Sequence, residues 1–448
     1  MRTDCNKPIV QFTPLARRRV LAEFDAGAIS SDGGVLLLRE VDRRINLLSR
    51  VDQLIPDPRD PLHIEHDQRT LIAQRVLAIA CGWEDLNDHT NLRNDLVLQL
   101  ATNRKASGSG GDVDPDRPLA SASTLCRLEN RIDRQTCVAV NKLLVELFIE
   151  SHPTPPTEVI LDFDATNDPV HGKQEGRFFH GYYDEYCFLP LYVFAGEQLL
   201  CAYLRPANID GAKHAWAILA LMVKRLRQAW PDVKIIFRGD SGFCRWKMLR
   251  WCDRHGVDYI VGLAKNPALT KRSATLMSSA ENAFKETGQK QRLFGEFSYA
   301  AGTWDKQRRV IARIEHTDKG ENPRFITTSL AGEGQQLYEQ TYCARGEVEN
   351  RIKEQQLGLF ADRTSCHDFV ANQFRLLLSS LAYVLIETLR RTCLASTELA
   401  QAQASTIRLR LLKIGALVQR SVRRIVIHLS ESFPMREVFQ SVAATLSG

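Results

Sequence analysis

The spacing of apolar residues changes character near residue 157. Before it, hydrophobic positions recur at helical intervals. Residues 71–82 predict one helix, and residues 123–131 predict a short one that opens on a serine. Between them, residues 106–118 are rich in Gly, Ser, Asp and Pro and read as a loop. Three prolines within residues 152–157 end this helical stretch. Alternation then takes over. Residues 159–164 alternate apolar and acidic as a strand does, and residues 187–194 and 199–204 predict two more strands. Residues 211–230 carry helical periodicity, 233–237 predict a strand, 245–255 a helix and 259–263 a further strand.

The resulting order, β-β-β-α-β-α-β, is that of an RNase H-like α/β core, in which the first and fourth strands lie side by side. Residues 265–330 interrupt the rhythm. Strand patterns at 308–316 and 324–328 predict a β-rich insertion at about 265–340, and helical spacing returns from Tyr342. The expected organisation is therefore a mainly helical region at 1–155, a catalytic core at 156–395 that holds the insertion, and a basic helical region at 396–448. No internal repeat occurs.

Composition narrows the class. A chain of 448 residues exceeds one ordinary core, so two or three domains are expected. Hydrophobic residues at 44% and charged residues at 25% place it among globular proteins rather than disordered ones. Residues 1–19 are polar and basic, which predicts no signal peptide. The most apolar run, 376–386, is far shorter than a membrane span and predicts a buried helix. The net charge of +6 leans mildly toward polyanions. Arg408, Arg410, Lys413, Arg420, Arg423 and Arg424 fall in one stretch without an acidic residue, and the ordinary reading of such a run is a solvated helix face. The 11 cysteines form no Cys-x-x-Cys and fit a reducing compartment. His63 and His66 lack a second ligand pair at zinc-finger spacing.

Three acidic positions stand where chemistry is expected. Asp164 ends the first strand in Ile-Leu-Asp-Phe-Asp-Ala-Thr, and Asp162 points to the same face as a rival. A carboxylate inside an apolar strand is costly unless it is paired or bound to a metal. Asp240 follows the fourth strand, between Gly239 and Gly242, which suit a tight turn. The plainer reading of both positions is turn or helix capping. Tyr342, Arg345, Glu349 and Lys353 are three, four and four residues apart and share one helical face. That face is either an exposed ladder of ion pairs or an Arg345 that holds Glu349 or a phosphate bidentately. Three converging carboxylates are the least a protein contributes to a pair of hard divalent cations about 3.5–4 Å apart, an arrangement suited to cutting phosphodiesters.

Asp-Ala-Thr at 164–166, Arg-Gly-Asp-Ser-Gly-Phe at 238–243 and Tyr342-x-x-Arg345-x-x-x-Glu349 resemble the signatures of IS4-type DDE transposases. Residues 171–184, 346–354 and 408–416 resemble, more narrowly, the IS1380 family of bacterial insertion sequences. The resemblance implies Asp164, Asp240 and Glu349 as ligands of two Mg²⁺ ions, which Mn²⁺ replaces. It implies that Tyr342 and Arg345 support Glu349 and touch DNA near the cleaved phosphate. The wider signature has a lysine seven residues after the glutamate, where this chain has Gln356; Lys353 is the nearest substitute. In the insertion, Trp304 is a candidate to stack a displaced base, against the plainer reading of a buried tryptophan. Arg127, Asn130 and Arg131 are candidates for DNA reading from the short helix at 123–131. The implied activity is binding of the terminal inverted repeats of an element, strand cleavage and strand transfer into target DNA. The partners implied are double-stranded DNA and a second copy on that DNA, with no membrane, in the bacterial cytoplasm at the nucleoid. A nuclease that cuts without joining and a non-catalytic DNA-binding protein are the alternatives.

Overall fold

The computed structural model describes residues 9–102, 117–421 and 423–447. Most of the loop expected at 106–118 lies outside the described residues. The chain divides into two compact units, one made of Met1–Leu128 with Leu385–Gly448 and the other of Glu129–Val384.

In the first unit, helices Val35–Ile45, Leu47–Leu54, Gln68–Cys81 and Leu96–Ala101 gather around Val35, Leu38, Val41, Leu71, Ile72 and Val76. Gln68–Cys81 starts where the Asp67 carboxylate accepts from the Thr70 amide at 2.9 Å. It stops at Gly82, whose φ of 97° suits a residue without Cβ. The basic stretch 408–424 is not one helix. A π turn, Arg408–Leu412, leads into the hairpin strands Ala416–Arg420 and Ile425–Leu429. Leu417, Val418, Val426 and Ile427 give that region a strand preference that its charge run masks. Two of its cations are structural: Arg408 Nε donates to the Ala80 carbonyl at 2.9 Å, and Lys413 pairs with Asp32 at 2.6 Å.

The second unit is built on a mixed sheet of eight strands. They are β1 (Glu158–Ala165), β2 (Leu191–Ala195), β3 (Gln198–Tyr203), β4 (Lys234–Gly239), β5 (Asp258–Leu263), β6 (Gln291–Tyr299), β7 (Arg308–Thr317) and β8 (Gly320–Thr328). Their spatial order is β6-β7-β8-β5-β4-β1-β2-β3. Helices α1 (Ala215–Ala229) and α2 (Trp246–Arg254) supply the crossovers that let β1, β4 and β5 run parallel. The first and fourth strands are therefore neighbours, as the order of elements requires.

Alternation sorts the side chains of this sheet. Leu161, Phe163, Ile235 and Phe237 pack with Leu219, Met222, Leu226 and Leu249 of α1 and α2. Ile160, Asp162 and Asp164 point to the other face, where Ile160 and Ile236 join Tyr338 and Tyr342. The run expected as one strand at 187–194 is two, Glu185–Phe188 and Leu191–Ala195, because Pro190 has no N–H to donate. The insertion lengthens the main sheet instead of forming its own: β8 pairs antiparallel with β5. It also holds two helices that the pattern missed, Pro267–Arg272 and Ala274–Thr287. Asn266 caps the first, with Pro267 in its first turn. The second buries only Ala280 fully, so its periodicity is faint.

The apolar run at 376–386 lies in helix Phe369–Cys393. By length and composition this is the one described helix able to cross a membrane, yet 83% of its apolar window is buried inside the protein.

Candidate active site

Parallel pairing fixes the first two carboxylates. The register of β4 on β1 runs from Lys234 opposite Glu158 to Gly239 opposite Phe163. Asp240 and Asp164 are the next residues along, so the two acids lie at the same end of neighbouring strands. Asp164 is 8% exposed and faces Tyr192 of β2 in the antiparallel register. Asp240 sits at the start of the short turn Ser241–Phe243 and accepts from the Gly242 amide at 2.8 Å. The capping role anticipated for Asp240 is thus present, and the carboxylate is still partly exposed.

Asp162 and Asp164 have different partners. Asp162, 1% exposed, meets Arg238 directly across the β1–β4 register, and that guanidinium takes both carboxylate oxygens, one of them at 2.7 Å. Asp164 offers Oδ1 to its neighbour's amide, Ala165 N, and Oδ2 to Arg345 at 3.1 Å.

The third acid arrives from a helical segment that crosses this face. The spacing of Tyr342, Arg345, Glu349 and Lys353, three, four and four residues, predicts one helical face. The segment instead changes pitch three times: a π turn (Leu337–Tyr342), a 3₁₀ turn (Cys343–Arg345), α3 (Gly346–Lys353) and a second π turn (Glu354–Gly358). Arg345 and Glu349 still meet, with Nη2 to Oε1 at 2.6 Å. Arg345 therefore bridges Asp164 and Glu349, and Lys353 is exposed one turn further on. The Tyr342 ring reaches the sheet over Gly262 of β5. A Cβ at Gly262 would lie 2.6 Å from the Tyr342 hydroxyl and 2.7 Å from the Ser241 amide nitrogen, so only glycine fits there.

Electrostatics couple the three acids. Burial pushes the Asp164 carboxyl up to about 7; Asp240 and Glu349 push the same way, and Arg345 opposes them. Burial also raises the Tyr342 phenol, with the charge of Asp240 adding to it. Among the described residues no three His, Cys, Asp or Glu side chains form a ready ligand cluster. The donor chemistry of Asp164, Asp240 and Glu349 nonetheless suits a hard divalent cation, since all three present carboxylate oxygens, of which Arg345 here engages one on Asp164 and one on Glu349.

Residues 12–448 match the family model for the transposase DDE domain, group 1. The chain belongs to this family of DDE transposases. A search of curated proteins finds no match. Among solved structures, the piggyBac transposase synaptic complex with hairpin DNA, determined by cryo-EM, is similar at 10% identity over 86% of this chain and 80% of that one. Its TM-score of 0.37 is too low for the likeness to bear on the reaction.

The remaining candidate residues of this transposase are placed as follows. Trp304 is partly buried, its ring 5.5 Å edge-on from Tyr299 and 5.3 Å beneath the Arg308 guanidinium. Helix Ala122–Asn130 exposes Arg127 and Asn130, and Arg131 follows it half-buried. Arg127 Nη2 donates to Thr124 Oγ1 at 3.3 Å. Gln356 faces inward: its amide donates to Asp168 Oδ1 at 2.7 Å and to the Asn167 carbonyl at 2.9 Å. Sequence reasoning missed two partners in this neighbourhood, Arg238 and Asp168. For Arg238 the local sign was a charged residue within an apolar stretch, and its pairing depends on strand register; Asp168 lies in a polar stretch with no such sign, and its pairing depends on where the π turn Glu354–Gly358 crosses.

Proposed function

We propose that this DDE transposase cuts and joins DNA at an RNase H-like core, with Asp164, Asp240 and Glu349 holding two divalent cations, Mg²⁺ or in its place Mn²⁺. The observation that carries this reading is the parallel register of β1 and β4, which sets Asp164 beside Asp240 while Arg345 draws Glu349 to the same strand end. The IS1380-like motifs favour an insertion-sequence enzyme acting on the terminal inverted repeats of its own element. In this reading 156–395 is the catalytic domain and the flanking regions, 1–155 and 396–448, help bind DNA, through Arg127, Asn130 and Arg131 among others. The protein works as a homodimer on paired ends, in the bacterial cytoplasm at the nucleoid.

The cations, when bound, supply an activated water and a sink for charge on the phosphate. The protein's own groups hold and orient. Arg345, fixed by Asp164 and Glu349, presents a guanidinium at the strand ends, where a phosphate takes two of its N–H groups. Tyr342 closes the β5 side of the site and keeps a hydroxyl beside Asp240. Lys353 offers a further exposed cation to the DNA backbone, and Trp304 an aromatic face in the insertion. In the first step water adds to phosphorus at the element end, the bond from phosphorus to the 3′ oxygen breaks, and a 3′-hydroxyl is freed on the element. In the second, that hydroxyl attacks a target phosphodiester, and one target strand leaves as the new bond forms. Positioning and charge neutralisation account for most of such catalysis.

The experiment is cleavage and joining of a labelled duplex carrying the terminal repeat, with Mg²⁺ or Mn²⁺, by wild type and Asp240→Asn. Metal-dependent nicking and joining lost in the variant is the expected result. Hydrolysis without joining assigns a nuclease instead, and end binding without cleavage by either protein assigns a DNA-binding role.

A further inference from the structure

We propose that Arg238 and Gln356 are positioning residues that fasten the two ends of the segment bearing Tyr342, Arg345 and Glu349 to the strand bearing Asp164; this rests on the catalytic reading of Glu349 above.

The segment has an anchor at each end, and both anchors lie on π turns. At the leading end, Arg238 holds Asp162 with two nitrogens and donates from Nη1 to the carbonyl of Thr341, inside the π turn Leu337–Tyr342. At the trailing end, Gln356 lies in the π turn Glu354–Gly358 and gives its amide to Asp168 and to the Asn167 carbonyl. Asp162, Asn167 and Asp168 belong to β1 and the stretch just after it, so Asp164 sits between the two points of attachment. A π turn widens the helix and disturbs its own hydrogen-bond ladder, which suits a carbonyl or side chain that must bond outside the helix.

The acceptor of the trailing anchor is buried. Asp168 is fully buried, and its Oδ2 has no hydrogen-bond partner among the described residues. Gln355, the chain neighbour of Gln356, is also fully buried, and Ser380 Oγ donates to its Oε1 at 3.4 Å. A neutral amide satisfies a buried carboxyl there without adding a second charge. Glu349 itself is half exposed, and Arg345 grips it by one oxygen. Its place relative to Asp164 is then set by the two ends of its segment as much as by Arg345.

The test uses the full-length protein, the labelled terminal-repeat duplex and a Mg²⁺ titration. Gln356→Met keeps length and removes the donor; Asp168→Asn keeps an acceptor for Gln356. Gln356→Met is expected to bind DNA within about twofold of wild type while kcat at saturating DNA falls on the order of tenfold to a hundredfold. The Mg²⁺ needed for half-maximal rate rises, and amide exchange across residues 346–353 quickens. Asp168→Asn is expected to retain most of the rate. Wild-type kcat, Mg²⁺ demand and exchange in Gln356→Met would overturn the proposal. If Gln356→Met does not fold, Arg238→Lys takes its place: the same three shifts support the proposal, and wild-type values overturn it. Glu349→Gln is run alongside: cleavage at the wild-type rate in that variant means that the catalytic reading has failed, whatever Gln356 does.

Discussion

Arg238 stands directly opposite Asp162 in the parallel register of β4 on β1, and its guanidinium occupies both oxygens of that carboxylate. The two aspartates of Ile-Leu-Asp-Phe-Asp-Ala-Thr thereby part company. One is neutralised within the sheet, and the other, two residues on, stands at the strand end beside Asp240.

The two should respond differently to substitution. Asp162→Ala strands a buried guanidinium, and breaking such a pair costs about 3–5 kcal/mol. A marked fall in Tm is expected. Asp164→Asn removes a carboxyl that burial already disfavours as an anion, so Tm is expected to stay near wild type while Mg²⁺-dependent cleavage is lost. Thermal melts and cleavage assays on both variants check this. A stable Asp162→Ala without activity, beside an Asp164→Asn that still cuts, would reverse the assignment.

Gly262 gives a test of the Tyr342 contact. Adding a Cβ 2.7 Å from the Ser241 backbone nitrogen forces a shift of backbone as well as of the Tyr342 ring. Gly262→Ala is expected to cost about 1–3 kcal/mol by overpacking and to slow cleavage. Gly288→Ala, at a glycine with open space around it but a φ of 66°, separates backbone strain from collision; it should lower Tm modestly and leave the cleavage rate alone.

Asp168 predicts a pH dependence of stability. Burial pushes its carboxyl up to about 8, against an ordinary carboxylate near 4. The folded state therefore holds a proton that the unfolded chain has released, so the contribution is intact below about pH 4 and fades as pH rises toward 8. Asp168→Asn should raise Tm at pH 7.5 more than at pH 5. An equal shift at both would mean that the carboxyl is ionised in the fold.

His89 in the first unit works in the opposite sense. It is fully buried, with Gln74 and Arg75 facing its two ring nitrogens, and burial together with the Arg75 charge holds it down to about 3. Above about pH 6.5 both states are neutral and nothing is lost. As pH falls below that value the unfolded chain takes up the proton first, so stability declines, by about 2 kcal/mol at pH 5. Urea melts of wild type and His89→Gln at pH 7.5 and 5 measure this difference, and equal losses in the two proteins would remove His89 as the cause.

Local pattern carried the architecture a long way. Alternation at 159–164 and the glycines around Asp240 are properties of a few adjacent residues, and each put a carboxylate at a strand end before any strand was paired. The four-residue spacing of Arg345 and Glu349 likewise survived, although the helix around them changes pitch. Where local signals competed, they misled: the charges of 408–424 hid a hairpin, and a helix that buries little hid within the insertion.

The sequence by itself determined the alternation of strands and helices over 159–263 and the types of residue at the strand ends, because backbone periodicity and turn chemistry act over a few residues. Tertiary structure alone decided which partner each acid meets. Asp162 and Arg238 are 76 residues apart, and Gln356 and Asp168 are 188 apart. Such partners are chosen by sheet register and by the path of a helix across a face. That choice neutralised Asp162, left Asp164 beside Asp240, and turned Gln356 inward.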